Sequence, residues 1–87
     1  MYPLHYAAVY GYLSIANLLL QAGATVDAVT DAGWTALHLA AYSGNIQVVE
    51  ALLNAGADKA VKDKYGDTAL DIAQEKNQPA IVKLLRD

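Results

Sequence analysis

The 87 residues are enough for one small domain, and a chain of that size buries roughly 60% of its unfolded surface, so its stability margin is thin. A formal net charge of −3, with six Lys and Arg dispersed rather than clustered, argues against a phosphate-binding or nucleic-acid-binding role. The absence of cysteine excludes disulfides and thiolate metal sites, and no uninterrupted apolar run approaches the about 18 residues of a membrane span.

The first elements are two short helices. Pro3 suits the first position of a helix that runs to Gly11, whose freedom to adopt positive φ ends it without steric cost. A second helix is expected over about Leu13–Gln21, closed by Gly23. Tyr2 stands where a capping hydroxyl residue would serve, so that cap is lost. Tyr2, Tyr6, Tyr10 and Tyr12 concentrate rings in this stretch. Two readings stand for Tyr2, Tyr6 and Tyr12: they shield an open end face, or they contact another molecule such as a second copy of the chain. The N-terminus has no basic region followed by a separate apolar segment, so no secretory leader is expected; a natural protein of this kind would be cytoplasmic.

Val26 to Trp34 forms a connecting turn, with Thr30-Asp31-Ala32-Gly33 supplying turn chemistry. Trp34 either folds back over its own unit or contacts a partner, because a bare indole beside a turn exposes a large apolar area. Thr35 then caps a third helix filled by Ala36, Leu37, Leu39, Ala40 and Ala41 and ended by Gly44. A fourth begins near Asn45, with Ile46, Val49, Leu52 and Leu53 expected as its apolar stripe and Gly56 as its stop.

Lys62-Asp63-Lys64-Tyr65-Gly66-Asp67 makes the second turn. Thr68 caps a fifth helix, and Asp71 three residues on completes a capping box. Leu70, Ile72 and Ala73 face inward, while Gln74, Glu75, Lys76, Asn77 and Gln78 form a polar run. Pro79 opens the last helix, whose apolar side is Ile81, Val82, Leu84 and Leu85. Lys83 and Arg86 sit where the helix dipole favours positive charge. The polar surplus suits a closing cap that meets water.

These elements recur at one period. Leu4, Leu37 and Leu70 are 33 apart, as are Ala7, Ala40 and Ala73, and Leu19, Leu52 and Leu85. Residues 2–34 and 35–67 coincide at both Leu-His steps, at the glycines and at the Ala22–Ala24 trio. A helix of under three turns is unstable alone in water, so such units stand by stacking. Tyr-Pro-Leu-His-Tyr-Ala-Ala at 2–8, Thr-Ala-Leu-His-Leu-Ala-Ala at 35–41 and Ala-Gly-Ala-Asp at 55–58 resemble the ankyrin repeat. The resemblance covers essentially the whole chain, about two and two-thirds copies of a 33-residue unit. It implies an all-α solenoid of stacked helix-turn-helix units with short connecting β-turns, one domain over 1–87 with repeats at about 1–29, 30–62 and 63–87.

The resemblance also implies a non-enzymatic protein-interaction module that uses the concave surface of turns and first helices. The chain is similar to engineered ankyrin-repeat binders as well, whose varied positions are the turn tips and the end of the first helix. Carried over, those are Val29, Asp31, Ala32 and Trp34; Lys62, Lys64, Tyr65 and Asp67; and Val9 with Tyr10 and Tyr42 with Ser43. Trp34, Tyr42 and Tyr65 would be anchors, with Asp31, Lys62, Lys64 and Asp67 setting charge preference. The alternative is a structural building block that self-associates through Tyr2, Tyr6 and Tyr12. No cofactor, metal or small-molecule substrate is expected. His5 and His38 recur at the repeat period, roughly 8–10 Å apart, too far to share a metal, and read as backbone-ordering residues. Asp58, Asp63 and Asp67 lack calcium-loop spacing, Asp71 and Glu75 read as a solvated face, and Ser14 and Ser43 have no histidine–acid pair.

Overall fold

A computed structural model describes residues 1–86. Six helices follow in order: α1 (Pro3–Tyr10), α2 (Leu13–Gln21), α3 (Ala36–Ser43), α4 (Ile46–Asn54), α5 (Ala69–Glu75) and α6 (Pro79–Arg86). Among the described residues there is no β-strand. Each helix is two turns or slightly more, too short to persist alone, and the helices pair as three hairpins, α1 with α2, α3 with α4 and α5 with α6. The hairpins then stack in two layers: α1 on α3 on α5, and α2 on α4 on α6.

Local chemistry sets the boundaries as expected. Gly11 and Gly44 end α1 and α3 at φ 72° and 78°, and Asn77 takes the same left-handed conformation at φ 55° after α5. Tyr2 makes no side-chain cap at α1. Thr35 accepts the His38 backbone N–H and Thr68 accepts that of Asp71, each at 3.3 Å. Gly33 N–H to Thr30 O at 2.8 Å and Gly66 N–H to Asp63 O at 3.0 Å close the two β-turns.

The core is alanine- and leucine-rich. Ala7, Ala8, Ala40, Ala41 and Ala73 let the first-helix layer pack closely, and Leu4, Leu37, Val48, Val49, Leu52, Ile81 and Leu85 fill the space between layers. One expectation needs correction. The buried stripe of α4 is Val48, Val49 and Leu52; Ile46 is exposed and Leu53 only half-buried. A nine-residue helix with apolar groups on several sides does not announce which side meets its neighbours. Here that side is fixed by two flanking hairpins at once.

Polar ties recur between hairpins. The Asn45 amide donates to Ala8 O at 2.7 Å and Val9 O at 3.2 Å, closing orphan carbonyls at the end of α1. A Cβ at Gly11 would lie 2.9 Å from Asn45 Oδ1, so glycine there answers both the positive φ and this close approach. Lys64 N–H donates to Ala32 O at 3.0 Å and Asp58 N–H to Asp27 Oδ1 at 3.1 Å, tying consecutive turns together.

The candidate interaction surface

The two histidines are structural hubs. His38 is buried, and its Nδ1 accepts the Thr35 N–H at 3.1 Å, so the proton sits on Nε2 and is donated to Asp67 O at 2.9 Å. The ring thus completes a capping box within its own unit and pins the following turn. His5 does the same for Tyr2 N–H at 3.3 Å and for Ala28 O at 2.9 Å. Asp71 takes over the box at α5, its Oδ2 accepting Thr68 N–H at 2.9 Å, but its short carboxylate has no N–H to donate onward. Neither histidine has a ring nitrogen left for a ligand. Among the described residues no group of three or more His, Cys, Asp and Glu is placed to hold a metal ion, and no helix is long and apolar enough to cross a membrane.

Above His38 lies a ladder of rings. Trp34 stacks on the imidazole with centroids 5.9 Å apart and planes 24° from parallel. Tyr42, one helical turn further, sits 5.6 Å from the Trp34 centroid, and Lys76, just past the end of α5, places its Nζ 4.6 Å over the Tyr42 ring. Trp34 neither stays free nor lies only on its own unit. It is half-buried, and its Nε1–H donates to Asp63 Oδ2 of the next turn at 2.8 Å.

Asp63 is the residue that sequence reasoning undervalued. It is buried; its Oδ1 accepts the Tyr65 and Asp67 N–H groups, each at 2.9 Å, while its Oδ2 holds the indole. The Asp67 backbone N–H does most to hold its carboxyl below the ordinary aspartate value near 3.8. Burial pushes the other way, and the Tyr65 N–H and the Trp34 indole add to the lowering. A signal was present. Thr30 stands one period earlier and accepts Trp34 N–H through Oγ1 at 3.2 Å, so a side-chain acceptor opens both turns.

The remaining candidate positions fall into three groups. Val29, Asp31, Ala32 and Trp34 line one open hollow of about 610 Å³ together with Met1, Tyr2, Thr30 and Leu39. Lys62, Lys64 and Tyr65 are exposed at the second turn tip, with Lys64 Nζ 5.3 Å from the Tyr65 centroid, and Asp67 is half-buried beside them. Its backbone accepts from His38 and Asp63. Val9 is half-buried, and Tyr10 and Ser43 are exposed at helix ends. The Tyr10 ring lies 5.7 Å from that of Tyr12, so these two aromatics form one pair across the expected division between partner-binding and self-association positions. Tyr2 and Tyr6 are exposed, with Tyr2 edge-on to His5 at 5.4 Å.

The arrangement offers a rigid aromatic floor, a basic turn tip and a hydrogen-bonded scaffold beneath. It offers no nucleophile with a base and no unsatisfied buried polar side chain among the described residues. A family model described as ankyrin repeats, in three copies, matches residues 4–87. No curated protein matches the chain.

Proposed function

The chain belongs to the ankyrin-repeat family, whose members are generally non-enzymatic protein–protein interaction modules, and from that premise we propose that it binds a protein partner on the face formed by its turns and first helices. The observation that carries this reading is the Trp34–Tyr42 pair. Trp34 is clamped by His38 below and Asp63 beside it, so its ring is already immobile before anything binds. Tyr42 leaves 48% of its surface open against that fixed ring. Rigid aromatics with part of their area free lose little entropy on binding and are enriched among hot spots.

Lys76 lies over Tyr42, and Lys62 and Lys64 are exposed at the neighbouring turn tip, Lys64 beside Tyr65. The fitting partner is a segment with an apolar or aromatic side chain for the Trp34–Tyr42 floor and a carboxylate for the lysines. Tyr65, 74% exposed, extends the same surface outward. Asp31, exposed in the hollow that Trp34 also lines, disfavours acidic groups there and so orients the bound segment.

A display selection of random peptides against the folded chain tests this. Enriched peptides should combine an aromatic or branched residue with nearby Asp or Glu. Titrated back, they should bind Tyr42→Ala at least about tenfold more weakly, the effect of a loss of roughly 1.4 kcal/mol or more. Peptides whose affinity is unchanged by both Tyr42→Ala and Tyr65→Ala would contradict the proposal.

A further inference from the structure

Asp63 is 7% exposed, so a molecule bound on the face of turns and first helices would scarcely touch it. Both of its carboxylate oxygens are occupied from within the chain. Oδ1 accepts the Tyr65 and Asp67 N–H groups of its own turn, and Oδ2 accepts the Trp34 indole N–H from 29 residues back.

The indole depends on that last bond for its orientation. The χ2 torsion of tryptophan is broad and roughly two-fold, so two orientations related by a half-turn share nearly one plane. Stacking on His38 acts on the plane of the ring and does not choose which edge leads. The N–H is the only donor of the indole and lies on one edge. Only one of the two orientations therefore sets Nε1–H against Asp63 Oδ2, at 2.8 Å. The acceptor is an anion, because the carboxyl is held below the ordinary aspartate value, and charge-assisted bonds are the stronger ones. A half-turn would carry the six-membered ring to the other side and change what stands beside Tyr42, whose centroid is 5.6 Å away. The open hollow that Trp34 lines leaves space for such a turn.

We propose that Asp63 is the positioning residue of the binding face: through the indole N–H it selects the Trp34 orientation that a partner meets. This inference rests on the proposed reading of that face. The repeat register supports a role beyond turn formation. Thr30 stands one period before Asp63, and its Oγ1 accepts the Trp34 backbone N–H at 3.2 Å, as Asp63 Oδ1 accepts that of Asp67. A hydroxyl is thus enough to hold the N–H four residues ahead. Asp63 adds a second oxygen, and that oxygen goes to the indole. Met1 and Asp67 stand one period before and after Trp34, so the indole–carboxylate pair occurs once in the chain.

The test uses Asp63→Thr, which copies the turn opening of Thr30, and Asp63→Asn, which keeps the shape of the side chain. Each leaves the turn an acceptor and removes the anion. A peptide selected on the wild-type chain is titrated by calorimetry into wild type, both Asp63 variants, Trp34→Phe, and Trp34→Phe combined with Asp63→Thr. The titrations are run at about 10 °C, near maximum stability, with circular dichroism to verify helicity. Nuclear magnetic resonance follows the indole N–H of the free chain. In wild type that N–H should be protected from exchange, and in both Asp63 variants it should exchange freely. Affinity should fall about two- to fivefold in both, according to the fraction of rings left in the competent orientation. In the Trp34→Phe background, Asp63→Thr should weaken binding no further, which a role confined to the turn would not produce. Equal weakening in both backgrounds overturns the proposal. So do an indole N–H unprotected in wild type and an unchanged affinity for a peptide that Tyr42→Ala weakens; these leave the binding face standing. A peptide indifferent to both Tyr42→Ala and Tyr65→Ala removes the face, and the positioning role with it.

Discussion

Leu19, Leu52 and Leu85 occupy the same register in the three hairpins, so one perturbation repeated three times isolates the effect of stacking. Leu52→Ala removes a side chain that is 0% exposed and flanked on both sides by hairpins. The lost transfer free energy of the deleted carbons is roughly 2–2.5 kcal/mol, and a residual cavity adds to it. That cavity stays large, because the surrounding first-helix layer is built from buried alanines with no rotamers to swing into the space. The expected cost is therefore about 3–5 kcal/mol, a Tm decrease of roughly 12–40 °C, against a total stability of roughly 4–13 kcal/mol for a chain this long. Leu85→Ala, covered on one side at the end of the stack, should cost about 2–3 kcal/mol. Leu19→Ala, half-covered, should cost about 1 kcal/mol when measured in dilute solution. Urea denaturation followed by far-ultraviolet circular dichroism supplies all three values. Equal losses at Leu19 and Leu52 would refute the claim that coverage by the preceding hairpin holds the stack together.

Three further outcomes follow from the polar ties. Gly11→Ala should destabilise by about 1–2 kcal/mol through strain at φ 72° and crowding of the Asn45 amide, and Asn45→Ala by about 1–3 kcal/mol through two uncapped carbonyls. The double variant should cost less than the two singles added, and strict additivity in a denaturation cycle would mean the two sites do not touch. Thr35→Ala should lower stability by about 1–2 kcal/mol, since it removes a buried hydroxyl that caps α3, and a thermal melt matching wild type would show the His38 ring to be a sufficient cap. Asp63 has a folded pKa below its unfolded one, so its ionisation contributes stability that is complete above the unfolded value near 3.8 and is lost as pH falls through the folded value. The stability gap between wild type and Asp63→Asn should accordingly be constant at neutral pH and close on acidification below about 4. A gap that stays constant down to pH about 2 would assign the effect to hydrogen-bond geometry instead of charge.

Much of the fold was readable because its determinants are local. Gly11, Gly44 and Asn77 mark helix ends through their own backbone, and Thr35 and Thr68 cap helices three residues ahead. The period made the stacking legible, since Leu and Ala recurring together require a common neighbour. What stayed hidden depends on groups far apart in the chain. Asp63 looked like one acid among several because its indole partner lies in the previous turn, 29 residues away. Trp34 was weighed between its own unit and a partner, whereas it bridges to the next turn. The inward side of α4 is chosen by two flanking hairpins, which is why Val48 is buried and Ile46 is not. The Tyr10–Tyr12 pair joins a helix end to the following helix start, a proximity that depends on the path through Gly11.

Trp34 is the only tryptophan of the chain, and its indole stands in the middle of the proposed binding face. Titration of a selected peptide into the chain, followed by tryptophan emission alongside calorimetry, therefore reads the site directly. Emission should shift with the same saturation curve as the heat, and both signals should weaken together in Tyr42→Ala. Heat of binding with no change in Trp34 emission would place the partner elsewhere on the molecule.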